Sequence, residues 1–182
     1  MSKPLPTNLG FALLGLIHKM AMSGYDLRKV FAETALGNYS SSPGAIYPAL
    51  ARLEKQGLVT GEEDRSKSLR PKKIYRPSAD GKKIFKAWLS QEVTKYDINH
   101  NYHELMLRFA FHDALDDRKA TRRFLRELAS GLEEVIADLV SQRKMIPETE
   151  PVQTRLALEA GLEQLRASAR WAHNSIRYFP DD

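Results

Sequence analysis

Residues 40–76 read SSSPGAIYPALARLEKQGLVTGEEDRSKSLRPKKIYR. Ser42 offers a side-chain oxygen to the first N–H groups of a helix. Pro43 suits the first helical position, where a missing N–H costs nothing. Ile46, Leu50 and Leu53 then recur at helical spacing and define one apolar face. Ser41, Gly44, Ala45, Tyr47 and Arg52 fall on the other faces. Pro48 lies close to the start and predicts a kink or a delayed beginning. Gly57, able to take a positive φ after the C-cap, ends the helix. Beyond it the period changes: residues 58–62 and 73–76 are short, partly alternating runs suited to two strands.

The tip between those strands is cationic. Residues 65–76 hold Arg65, Lys67, Arg70, Lys72, Lys73 and Arg76 and no acid. A hairpin end this polar buries little, and such a density of positive charge is suited to a phosphate backbone. A solvated turn is the plain reading of a charge run alone. The helix ahead of it shifts the balance, because a helix followed by a basic hairpin is the winged helix-turn-helix arrangement. There the helix enters a major groove and the wing rests on adjacent phosphates.

Composition sets the bounds. The chain has 182 residues, 42% of them apolar, enough for one domain of ordinary size or two small ones. No run of about eighteen apolar residues is present, so no membrane span is expected. The opening MSKPLPTNLGFALLGLIHKM lacks a basic lead and a small-residue cleavage site, and reads as a helix. Cysteine is absent, which removes disulfides and cysteine nucleophiles and fits a reducing cytoplasm. Charge is uneven. Residues 1–95 carry 16 Lys/Arg against 8 Asp/Glu, a balance of +8, whereas residues 96–182 carry 12 against 15, a balance of −3. The first half is the one that faces a polyanion.

Two domains follow, residues 1–95 and 96–182. In the first, Asn8 caps a helix to about Met20 that is apolar nearly all round and therefore buried. Ser23 with Asp26 resembles a capping box opening a second helix. Tyr25 reads as a core-edge tyrosine ahead of a phosphate contact. Ser78 caps a further helix to about Val93, with Ile84, Trp88 and Leu89 inward, and residues 94–101 read as the joint between halves. The second half is helical throughout. Its last helix carries Leu158, Leu162, Leu165, Ala169, Ala172 and Ile176 at alternating steps of four and three, a heptad stripe. With the preceding long helix it forms an antiparallel hairpin. Ala160, Ala167, Trp171 and Tyr178 leave a second apolar face, and the same hairpin from another subunit is the natural cover. A monomeric helical cap is the alternative. The fold class is mainly α: an N-terminal winged helix-turn-helix with a small two-stranded β wing, and a C-terminal antiparallel helical dimerisation domain.

Several short runs occur in a set order: Leu13-Leu14-Gly15-Leu16-Ile17, Ser23-Gly24-Tyr25-Asp26-Leu27, Gly44-Ala45-Ile46-Tyr47-Pro48-Ala49-Leu50, Arg52-Leu53-Glu54 and Gly57-Leu58-Val59, then Tyr75, Gly81 and Trp88-Leu89. Together they resemble the PadR family of bacterial transcriptional regulators over about the first ninety residues. Glu104-Leu105 and Leu107-Arg108-Phe109 carry a looser resemblance to its subfamily with a long helical C-terminus. The resemblance implies a homodimeric repressor at a near-palindromic operator, with a C-terminal dimerisation module; the Leu158–Ile176 stripe is the expected interface, and a cytoplasmic location without cofactor is expected. By position it places Ser41, Ser42, Gly44, Ala45 and Tyr47 on the recognition helix, and Arg52 is a further expected DNA contact. Lys67, Arg70, Lys72 and Lys73 fall in the wing. Where the family usually has Leu-Thr after the second strand, this chain has Pro77-Ser78.

Other chemistry finds little support. His100 and His103, with Glu104, have a spacing that zinc accepts, yet they sit where a helix begins and His is ordinary. No nucleophile elbow, phosphate-binding glycine loop or zinc-protease motif is present, so no enzyme is expected. Tyr96, Tyr102, Met106 and Trp171 have two readings: core, which is preferred, or the walls of a pocket for a small aromatic effector. Such an effector moves the protein off DNA only by binding one state more tightly than the other. The rival to a DNA-binding regulator is a small-molecule sensor or protein-interaction module without strong DNA affinity, against which the basic wing argues.

Overall fold

The computed structural model describes residues 4–40, 42–64, 72–147 and 149–180. The chain forms two compact units that divide between Leu89 and Ser90.

The first unit opens with α1, Asn8–Lys19. Thr7, not Asn8, is its N-cap: Thr7 has extended backbone angles and its hydroxyl accepts from the Gly10 N–H at 3.3 Å. Phe11, Ala12, Leu13, Leu14 and Ile17 are all buried, as a helix apolar on every side requires. A two-residue strand β1, Met22–Ser23, follows, then α2, Gly24–Glu33. Ser23 and Asp26 close a reciprocal capping box. A 3₁₀ turn at Ala35–Asn38 leads to α3, Pro43–Lys55, capped by Ser42, whose side chain accepts from the Gly44 N–H. Pro48 neither delays nor ends this helix. It forfeits the bond its N–H would make to the Gly44 carbonyl. The helix ends in a Schellman motif: Leu58 N–H reaches the Leu53 carbonyl, Gly57 N–H reaches the Glu54 carbonyl, and Gly57 takes φ 72°.

Strands β2, Val59–Asp64, and β3, Lys72–Pro77, pair antiparallel with Val59 opposite Pro77 and Asp64 opposite Lys72. The sequence pattern predicts two strands. The sheet has three, in the order β1-β3-β2, because Met22 and Ser23 pair with Tyr75 and Ile74. Two residues are too few to display a period-two pattern. Ser78 joins the sheet to α4, Ala79–Leu89: its hydroxyl donates to the Gly57 carbonyl at 2.6 Å and accepts from the Gly81 N–H. Trp88 stacks on Phe11 with ring centres 4.2 Å apart and lies beside Phe85, so it is a core residue.

The second unit begins with an element that the expected joint concealed, α5, Lys95–His100. Thr94 and Asp97 form its capping box. The α4 helix stops at Leu89, short of Val93. The next carbonyls, those of Gln91 and Glu92, accept instead from the buried guanidinium of Arg108. Helix α6 spans Tyr102–Ala110, followed by a 3₁₀ turn at His112–Leu115. The long helices are α7, Arg118–Met145, capped by Asp117, and α8, Val152–Ile176. They run antiparallel. Arg122 donates to the Phe179 carbonyl, Glu133 meets His173, and Arg143 meets Glu159, so partners ascend one helix as they descend the other. Ile98, Leu105, Phe124, Leu128, Leu132 and Ala172 are among the side chains that fill the core between these helices.

Candidate nucleic-acid interface

Helix α3 divides cleanly. Ile46, Ala49, Leu50 and Leu53 are buried and hold it to the first unit. Gly44, Tyr47, Pro48, Ala51, Arg52 and Lys55 form the opposite, exposed face. That face carries two cations and no carboxylate. The one acid of the helix, Glu54, lies between the two faces and is bonded to Lys73. Ser42 is exposed and fixed by its capping bond, and Ala45 is half-buried at the edge. Tyr47 is 45% exposed. Its ring lies against the start of α2, where a Cβ on Gly24 would come within 2.6 Å of the Tyr47 ring. Glycine at that position leaves the room that the tyrosine ring occupies.

The wing lysines diverge. Strand alternation sends adjacent side chains to opposite sides. Lys73 turns toward α3 and donates to Glu54 Oε2 at 2.7 Å, passing over Gly61, where a Cβ would stand 2.2 Å from the lysine chain. The hydrogen bond it donates to Glu54 raises the Lys73 pKa above the ordinary lysine value, against a smaller lowering by burial. Its ammonium also lies 5.6 Å from the centre of the Tyr75 ring. Lys73 therefore ties β3 to α3, and its charge is matched within the fold. Lys72 is exposed and lies 6.0 Å from the centre of the Tyr25 ring, with Arg28 on the same ring at 5.4 Å. Ser41, Lys67 and Arg70 lie outside the described residues.

One family model and one relative, the latter known also from solved structures, match this chain. Residues 13–87 match the model of the Transcriptional regulator PadR-like family. The match runs from α1 into α4 and so takes in α3 and both long strands. Over those residues the chain is similar to the PadR-like family of transcriptional regulators. The Negative transcriptional regulator PadR of Bacillus subtilis is 26% identical over 182 residues, 96% of this chain and 98% of that one. The crystal structure of Bacillus subtilis PadR in complex with operator DNA is 23% identical, covers 96% of this chain and 100% of that chain, and gives a TM-score of 0.43. The same protein in complex with p-coumaric acid gives 24%, 96%, 100% and 0.41.

In the second unit the four candidate pocket residues divide between surface and core. Tyr96 is exposed and stacks on His100 at 4.3 Å. Tyr102 and Met106 pack on the unit's core. Trp171 is 37% exposed and meets Phe109 edge-on at 5.1 Å. The open recess formed by Val93, Lys95, Glu127 and Glu134, among others, includes none of the four. Among the described residues no group of three His, Cys, Asp or Glu is placed to hold a metal ion. His100 and His103 fall on different helices, separated by the break at Asn101. The heptad stripe is used within the chain: Leu162, Ala169 and Ala172 are buried and Leu165 packs on the unit's own core, while Leu158 and Ile176 are half-buried. No described helix is long and apolar enough to cross a membrane.

Sequence reasoning missed Arg28 and the tether from Lys73 to Glu54, and it misjudged Tyr25, which is 55% exposed. A signal for the first was available. Tyr25 and Arg28 stand three apart on α2 and so share a face. Nothing local signals that residues 54 and 73 meet.

Proposed function

We propose that this chain is a homodimeric, cytoplasmic repressor that binds a near-palindromic DNA operator through α3. The observation that carries the reading is the exposed, acid-free face of α3, presented beside a cationic strand on a buried, rigid support. Ser42, Gly44, Ala45, Tyr47 and Arg52 are the proposed readers of the duplex, with Gly44 allowing close backbone approach. A helix presented in this way suits the major groove, where base edges differ. Lys72 supplies a phosphate contact, which positions without specifying. The family match over residues 13–87 supports regulation, and the near-full-length relative named as a negative regulator supports repression. The reading assigns no catalytic step and no cofactor.

Dimerisation is proposed through the second face of α8. Val152 and Leu156 are each more than half exposed, Trp171 lies further along, and Tyr178 follows in the turn after the helix. Release by a small aromatic acid is the proposed switch, with Tyr102, Met106 and Trp171 as candidate contacts. Bacillus subtilis PadR has been crystallised with p-coumaric acid. Titrating p-coumaric acid against tryptophan emission tests this part: quenching that is lost in Trp171→Phe supports it, and unchanged emission contradicts it.

The deciding test of DNA binding is a mobility shift on the DNA upstream of the chain's own coding sequence, against a scrambled fragment of equal length. Retention of the native fragment alone, lost in Tyr47→Ala, is the expected result. Equal affinity for both fragments overturns sequence recognition and favours a sensor without an operator.

A further inference from the structure

Tyr25, Arg28 and Lys72 meet on a surface that none of the recognition-helix assignments includes. Tyr25 lies in the first turn of α2 and exposes more than half of its surface. The Arg28 guanidinium carbon stands 5.4 Å from the ring centre and the Lys72 ammonium 6.0 Å. One cation comes from a helix and the other from β3, forty-four positions apart in the chain, so the cluster is a product of the fold. Each distance is within the range at which an aromatic ring attracts a cation.

A ring can gather two like charges, but it does not neutralise them. Asp64 stands across the ladder from Lys72, yet the ammonium extends over Tyr25. Among the described residues neither cation is drawn into an ion pair, whereas the neighbouring Lys29 faces Glu33 and Lys73 is taken by Glu54. The tyrosine hydroxyl is a donor on the same exposed surface. Two unmatched cations and a hydroxyl donor make a seat for an anion. The seat adjoins the proposed reading face, since Tyr47 lies against Gly24, the residue just before Tyr25.

We propose that Tyr25, Arg28 and Lys72 form a phosphate seat that grips the duplex backbone beside the recognition helix, independently of sequence. This rests on the DNA-binding reading above. The seat fixes the register of α3 without reading a base. Arg28 supplies a directional fork and Lys72 a point charge.

Salt dependence tests it. Affinity for the native upstream fragment and for a random duplex is measured over a range of salt for the wild type, Arg28→Gln, Lys72→Met and Lys29→Gln. Each released phosphate contact lowers the slope of log affinity against log salt by about 0.9 per protomer bound. Arg28→Gln and Lys72→Met are expected to lose that increment equally on both DNAs, with the preference for the native fragment intact. Lys29→Gln is expected to keep the wild-type slope. Tyr25→Phe, which retains the ring, is expected to weaken binding less than Tyr25→Ala on both DNAs. Unchanged slopes in Arg28→Gln and Lys72→Met, with wild-type retention of the native fragment, overturn the seat and leave the DNA reading standing. A wild type that retains neither DNA overturns both. Thermal melts that match the wild type establish that each variant is folded.

Discussion

Lys73 donates to Glu54 of α3, while Lys72, one residue earlier, reaches the Tyr25 ring. Counted as charges the two lysines are equivalent; placed on a strand they face opposite ways. An exposed ion pair contributes little to stability, so the tether is chiefly a matter of geometry. Removing both of its charges in Glu54→Gln/Lys73→Met is expected to leave the salt slope of DNA binding at the wild-type value. A slope reduced as far as in Lys72→Met would show that Lys73 contacts phosphate after all. Gly61→Ala places a methyl in the path of the flexible Lys73 chain, which can swing aside, so binding to every DNA is expected to stay near the wild-type value. A shift assay on native and random fragments reads this directly. At this scale the sequence was legible for Ser42, Pro43 and Gly57, whose roles depend on neighbours within a few positions. It was silent on Glu54–Lys73 and on Lys72 with Tyr25, because those meetings depend on how β3 lies against two helices.

Helix α5 shows what a short element conceals. Six residues do not display a helical period, so residues 94–101 read as a joint. The capping box was nonetheless written there, as Thr94 followed three places later by Asp97. Thr94 donates to the Asp97 carboxylate at 2.6 Å, and Asn101 donates to its other oxygen. Burial pushes the Asp97 carboxyl upward, but hydrogen bonds from Thr94 and Asn101 outweigh it and hold the pKa below the ordinary aspartate value. A depressed carboxyl stabilises the fold above its unfolded-state pKa, and the contribution fades as pH falls through the folded-state value. The wild type is therefore expected to lose more melting temperature than Asp97→Asn between about pH 5 and about pH 3. Parallel losses in the two proteins would contradict the assignment. The long helices were legible because many turns repeat one pattern. Leu132 sits fully buried between them, and Leu132→Ala is expected to cost about 2–5 kcal/mol in urea unfolding.

At the scale of the whole molecule, mainly helical architecture and the charge contrast between halves were both readable from composition and period. The use of the heptad stripe was not. A stripe announces that it will be covered, without saying by which helix, and here α7 of the same chain covers it. Leu165 is consequently a poor probe of assembly, since Leu165→Glu would disturb the protomer itself. Leu156 is exposed on the other side of α8. Leu156→Glu is expected to convert a dimer to a monomer in sedimentation without lowering the helical signal, and an unaltered mass would place the interface elsewhere.

The central claim is that the exposed face of α3 reads a duplex. Footprinting on the DNA upstream of the chain's own coding sequence tests it most directly. Two protected half-sites on one face of the duplex, about 10 base pairs apart or a multiple of that, are predicted for the wild type and expected to vanish in Tyr47→Ala. Uniform protection with no boundaries, or a pattern that Tyr47→Ala leaves intact, would contradict it.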